Sequence, residues 1–87
     1  MIHNKKILYL FYVNYSSYCI IVKRLFYKLM KYNQKINIKL INTNLKCNWH
    51  YVKEYNINSY PLIILSTKEN NIKYNSKINL QNLNNFI

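Results

Sequence analysis

The chain has 87 residues, 51% of them apolar, enough for one small domain with one core and too apolar for a disordered chain. Its formal charge of +11 comes from lysines and one arginine spread along the whole chain, against only two acids. Two cysteines exclude a disulfide scaffold, and no apolar run approaches the length of a membrane span.

Lys, Asn, Ile and Tyr dominate, while Gly, Ala and Asp are absent. Those abundant residues have AT-rich codons, so the mix reads as genome-level nucleotide bias, and the basic balance reads as drift. Arg is the preferred fork for phosphates and bases, and Arg24 stands alone. Charge of this kind predicts weak polyanion binding at low salt and no specific nucleic-acid partner. Lys5 and Lys6 before Ile7–Val13 imitate a short signal peptide, but no small-x-small cleavage site follows. The expected location is therefore the cytoplasm or an organelle interior, with no membrane partner.

Lys6 to Val13 reads as a continuously apolar strand, suited to a central parallel position with both faces buried. Asn14 to Ser17 connects it to a helix over Tyr18–Tyr32, capped by Ser16 or Ser17. Val22, Leu25, Leu29 and Tyr32 share one helical face, widened by Ile21 and Phe26. Arg24, Lys28, Lys31 and Lys35 form a stripe elsewhere on it, read as a solvated face. Ile36, Ile38, Leu40 and Ile41 mark a second strand ending near Asn42. Asn48 to Tyr55 predicts a short helix, capped by Asn44 or Asn48, with Trp49, Val52 and Tyr55 turned inward. Asn56 closes it in the role Gly usually fills.

Pro61 leads a third strand over Leu62–Leu65. Lys68–Asn71 is a turn in which Asn tolerates the left-handed conformation, and Ile72–Tyr74 returns as an edge strand. Asn79 caps a last helix with Leu80, Leu83 and Ile87 on one face. The order is β-α-β-α-β-β-α. Cys47 and His50 have helical spacing, but a structural zinc site needs four ligands, so they read as a loop cysteine and a surface histidine.

Three segments, in order and spacing, resemble the thioredoxin family. The first is the apolar strand with Phe11, Tyr12, Tyr15 and then Ser16-Ser17-Tyr18-Cys19. The second is Val52–Asn56, Ile57 and the Tyr60-Pro61-led strand. The third is Ser76 to Leu83. The resemblance implies a minimal thioredoxin fold of the α/β class, with a mixed four-stranded sheet and helices on both faces. It implies one domain over residues 1–87 that lacks the family's first strand and helix. It also implies a cis Pro61 beside the active-site turn, and a shallow peptide groove lined by Tyr15, Tyr60 and Pro61. No cofactor and no metal are implied.

The chain departs from the family where the chemistry sits. The family pairs two cysteines around Gly-Pro; here Ser16 takes the attacking position and Ser17-Tyr18 the middle pair. A hydroxyl cannot form a disulfide. The family's buried carboxylate falls at or near Leu10, which accepts no proton. The expected function is that of a thioredoxin-like protein of the thiol–disulfide family without two-thiol reductase activity, acting by binding a protein or peptide client. The alternative is a single-thiol oxidoreductase through Cys19, with Cys47 or glutathione supplying the second sulfur. Cys19 itself has two readings, a thiolate favoured by a helix N-terminus or a small buried residue kept for packing.

Overall fold

The structure is a computed structural model that describes residues 6–33 and 36–87. Its elements are β1 (Ile7–Tyr12), α1 (Ser17–Tyr32), β2 (Asn37–Asn42), a 3-10 turn (Lys46–Asn48), α2 (Trp49–Glu54), β3 (Leu62–Ser66), β4 (Asn71–Lys73) and α3 (Leu80–Phe86). The four strands form one sheet in the order β2-β1-β3-β4. β1 pairs parallel with β2, through Ile7↔Asn37 to Tyr12↔Asn42, and antiparallel with β3, through Ile7↔Ser66 to Phe11↔Leu62. β3 and β4 are antiparallel. The parallel pair requires a crossover, and α1 supplies it.

β1 is interior because its sequence is apolar at every position, so both alternating faces can be covered. On one face Leu8 and Leu10 meet Val22, Phe26 and Leu29 of α1, Leu83 of α3, and Ile38, Ile63 and Leu65. On the other, Tyr9 and Phe11 meet Ile57 and Ile64, with Tyr51, Val52 and Tyr55 packed against them. Helices therefore cover both faces of a mixed sheet, as expected. Each fully buried Leu or Phe contributes about 1.5–3 kcal/mol of transfer free energy.

The buried stripe of α1 is Cys19, Val22, Phe26 and Leu29, at spacings of three and four. Ile21 and Tyr32, expected on the inner face, are exposed. The true stripe is centred between Cys19 and Val22, which turns both of those positions outward. In α2 the correction is Trp49, which is 53% exposed. Tyr51 and Tyr55 take the sheet surface instead, with ring centroids 5.5 and 5.4 Å from Phe11. Of the two expected caps of α2, Asn48 holds the N-cap position but makes no side-chain cap bond, its amide donating instead to the Asn42 carbonyl at 2.9 Å, and the Asn44 side chain is used elsewhere. Asn56 does close the helix, with φ of 53°. Ile57 N–H bonds to Val52 O at 3.0 Å and Asn56 N–H to Lys53 O at 3.3 Å, the paired bonds of a Schellman end.

The β3–β4 hairpin turns one residue earlier than expected, over Thr67–Asn70. The Thr67 hydroxyl accepts the amides of Glu69 and Asn70, and among the described residues no left-handed residue is used there. α3 begins as expected, with Asn79 Oδ1 accepting Asn82 N–H at 2.8 Å. Lys35, read from sequence as part of the basic stripe, lies outside the described residues.

Candidate functional site

The C-terminal ends of β1 and β2 and the start of β3 meet at one end of the sheet, as their pairings require. The chain leaves β1 at Tyr12 and enters α1 at Ser17, and the joint between them is fixed by two devices.

The first is a helix cap. Of the two candidate serines, Ser16 is the N-cap, with extended backbone at φ −95° and ψ 120°. Its Oγ accepts the Cys19 amide at 3.2 Å, and its carbonyl accepts the Ile20 amide at 3.3 Å. A cap of this type is worth about 1 kcal/mol. The hydroxyl in the position that resembles the attacking sulfur is thus engaged in holding the helix start.

The second is a set of polar side chains that no pattern in the sequence singled out. Asn14 N–H donates to Asn44 Oδ1 at 2.6 Å, and Asn42 Nδ2 donates to Asn14 Oδ1 at 3.1 Å. Asn44 N–H returns to Asn42 Oδ1 at 3.0 Å. Beside them Thr43, a buried polar residue, gives both its hydroxyl and its amide to the Tyr12 carbonyl, each at 3.0 Å. These bonds clasp the joint to the end of β2. In a chain so rich in Asn, the three asparagines of this joint have no compositional signal.

The two thiols differ. Cys19 is 0% exposed, on the inner side of α1. Cys47 is exposed on the 3-10 turn, and neither is in a disulfide. The parallel strands carry both to one end of the sheet, but one thiol is sealed and the other open. His50 Nδ1 lies 3.1 Å from the Cys47 carbonyl oxygen, which can only accept, so that nitrogen donates. Among the described residues no three His, Cys, Asp or Glu side chains gather where they could hold a metal ion.

Leu10 is fully buried in the aliphatic layer beneath α1. The Tyr60–Pro61 peptide bond is cis. Because Phe11 pairs with Leu62, this dipeptide follows on beside the end of β1, next to the joint. Tyr60 is half-buried against the aromatic layer and Pro61 is half-buried. Tyr15, by contrast, is 80% exposed. Among the described residues no helix is long and apolar enough to cross a membrane.

The family model described as Thioredoxin matches residues 1–87. Among solved structures, malaria-parasite thioredoxin-2, described as a component of the protein secretion machinery, is 18% identical, with a TM-score of 0.84 over 99% of this chain and 84% of its own. Thioredoxin f2 of Chlamydomonas reinhardtii is 14% identical, with a TM-score of 0.78 over 97% and 77%. Deadhead, a germline-specific thioredoxin of Drosophila melanogaster, is 18% identical, with a TM-score of 0.75 over 95% and 78%. A search of curated protein sequences gives no significant match.

Proposed function

The chain belongs to the thioredoxin family, and on that premise we propose that it acts by binding a protein or peptide client, without two-thiol exchange. The observation that carries this reading is the state of the Ser16–Cys19 pair. The Ser16 oxygen caps α1 and the remaining thiol is fully buried. Disulfide exchange needs a thiolate that reaches a sulfur and a second thiol that resolves the mixed disulfide. Leu10 adds to this, since an aliphatic side chain moves no proton.

The binding half of the proposal rests on the other side of the joint. An extended client segment would pair with the Tyr60 backbone and lie over Pro61 and Tyr15. A protein client also agrees with the description of malaria-parasite thioredoxin-2 as part of a protein secretion machinery. The single-thiol alternative needs a substrate sulfur at Cys19, and its burial weighs against that.

Insulin reduction with dithiothreitol as the electron source tests the proposal. The expected result is no turnover by the unaltered chain above the dithiothreitol blank. Ser16→Cys supplies the missing sulfur and is expected to form a disulfide with Cys19 in oxidised glutathione, seen as protection from alkylation. Substantial reductase turnover by the unaltered chain would sink the reading.

A further inference from the structure

The sheet has two edges, and they are finished differently. β4 is short, exposed at every residue and charged at Lys73, which blunts an edge against pairing. β2 runs from Asn37 to Asn42 in unbroken register with β1, without a proline, and its Ile38 is buried although the strand is outermost. Thr43 N–H points at β1, where it bonds to the Tyr12 carbonyl. Successive residues of an extended chain turn their N–H and C=O to opposite sides, so those of Ile38, Leu40 and Asn42 point away from β1. Asn42 agrees: its carbonyl accepts Leu45 N–H at 3.3 Å and Asn48 Nδ2 at 2.9 Å, both from beyond the strand. Those bonds close one end of the edge. The outward N–H and C=O of Ile38 and Leu40 have no partner among the described residues.

We propose that this edge takes up an extended segment of a partner protein as an added strand, antiparallel to β2, with an acidic residue between two apolar ones. Donors and acceptors in strict alternation select a polypeptide in β conformation, which neither a phosphate backbone nor a bilayer surface matches. In the antiparallel ladder Ile38 and Leu40 each exchange both bonds with the residue opposite, and Lys39 falls between them in the pair whose side chains stand closest. Lys39 is exposed on the Tyr9 side of the sheet, so an acidic residue belongs opposite it. Ile38 and Leu40 lie on the other side, with the aliphatic layer. There Met30, Ile36 and Ile38 line a hollow of about 180 Å³ at the start of the strand, so apolar residues belong opposite that pair. Lys39 also excludes the nearest alternative, a second copy of this chain. Pairing Ile38 with Leu40 in both directions sets two Lys39 side chains directly against each other, between molecules that each carry a formal charge of +11. The edge is separate from the Tyr60 groove, because β1 lies between β2 and β3.

A capped peptide with Val-Glu-Val at its centre is the probe, titrated against the full chain at physiological salt and followed by amide resonances. The expected result is saturable shifts of the Ile38 and Leu40 amides. Methylating both valine nitrogens, which face β2, is expected to weaken binding at least about tenfold, and methylating the glutamate nitrogen, which faces away, to leave it within about twofold. Lys in place of the peptide's Glu is expected to weaken binding at least about threefold, and Lys39→Glu to reverse that preference. Lys39 is exposed and the other changes are made in the peptide, so the fold is not at stake. Equal binding of the two methylated peptides would mean attraction through side chains alone and overturn the proposal. So would no binding, indifference to the peptide's charge, or slow hydrogen exchange at the Ile38 and Leu40 amides in the free protein, the mark of an edge already covered by its own chain or by a second copy.

Discussion

The two faces of β1 are one residue apart in sequence and opposite in character. Leu8 and Leu10 enter an aliphatic layer closed by α1 and α3. Tyr9 and Phe11 enter an aromatic layer under α2, where Tyr9 and Phe11 stack at 5.3 Å and Tyr51 and Tyr55 tilt against both. The buried residues of the aliphatic layer carry no polar side chain, and the phenols of Tyr12 and Tyr74 only border it. The aromatic layer keeps hydroxyls among its rings: burial, then the neighbouring Tyr55, hold the Tyr9 phenol above its ordinary value of 10.0. The difference bears on the proposed absence of two-thiol exchange. The side of the sheet beneath the thiol-bearing helix is the side sealed against ions, and Leu10 is the seal.

The largest test of that contrast is Leu10→Asp, which places a carboxyl on the sealed side. It is expected to cost at least about 3 kcal/mol in urea unfolding, because a buried charge there has no partner. A stable, fully folded Leu10→Asp protein would mean that the layer under α1 is polar or wet, and the contrast would fail.

The thiols sharpen the same point more gently. Cys19→Ser buries a hydroxyl in place of a sulfur and is expected to cost about 2 kcal/mol, against roughly 0.5 kcal/mol or less for Cys47→Ser. Iodoacetamide should modify Cys47 in the native protein and Cys19 only in denaturant. Native labelling of Cys19 at a comparable rate would contradict its burial.

The smallest effect is alkaline. The folded state binds the Tyr9 proton more tightly than the unfolded chain does. Its stabilising contribution is therefore complete below pH 10.0 and is lost as pH rises through the folded value. Tyr9→Phe is expected to flatten that alkaline decline while costing about 1 kcal/mol near neutrality. An unchanged slope would mean that other groups set the decline.

Much of this fold was legible in the chain because its signals are long. An unbroken apolar strand, a helix of four turns and a proline-led strand survive errors of a residue or two. The shorter signals failed for physical reasons. Of Trp49, Val52 and Tyr55, the last two do pack on the sheet, but Tyr51 joins them there and the largest side chain is left outside. Ser16 and Ser17 are chemically alike, and only the entry angle into α1 decides between them. Asn44 and Asn48 looked like caps because capping is what Asn commonly does locally. Here their amides serve contacts 30 and 6 residues away, which no local pattern encodes.

The clasp at the joint has one more consequence. Its side-chain groups are the amides of Asn14, Asn42 and Asn44 and the hydroxyl of Thr43. None of these gains or loses a proton in water at any physiological acidity; the Asn42 amide both gives and receives, while those of Asn14 and Asn44 receive. The shape of the turn is therefore decoupled from acidification and from ionic strength, in a protein whose dense positive charge leaves its surface open to screening by salt.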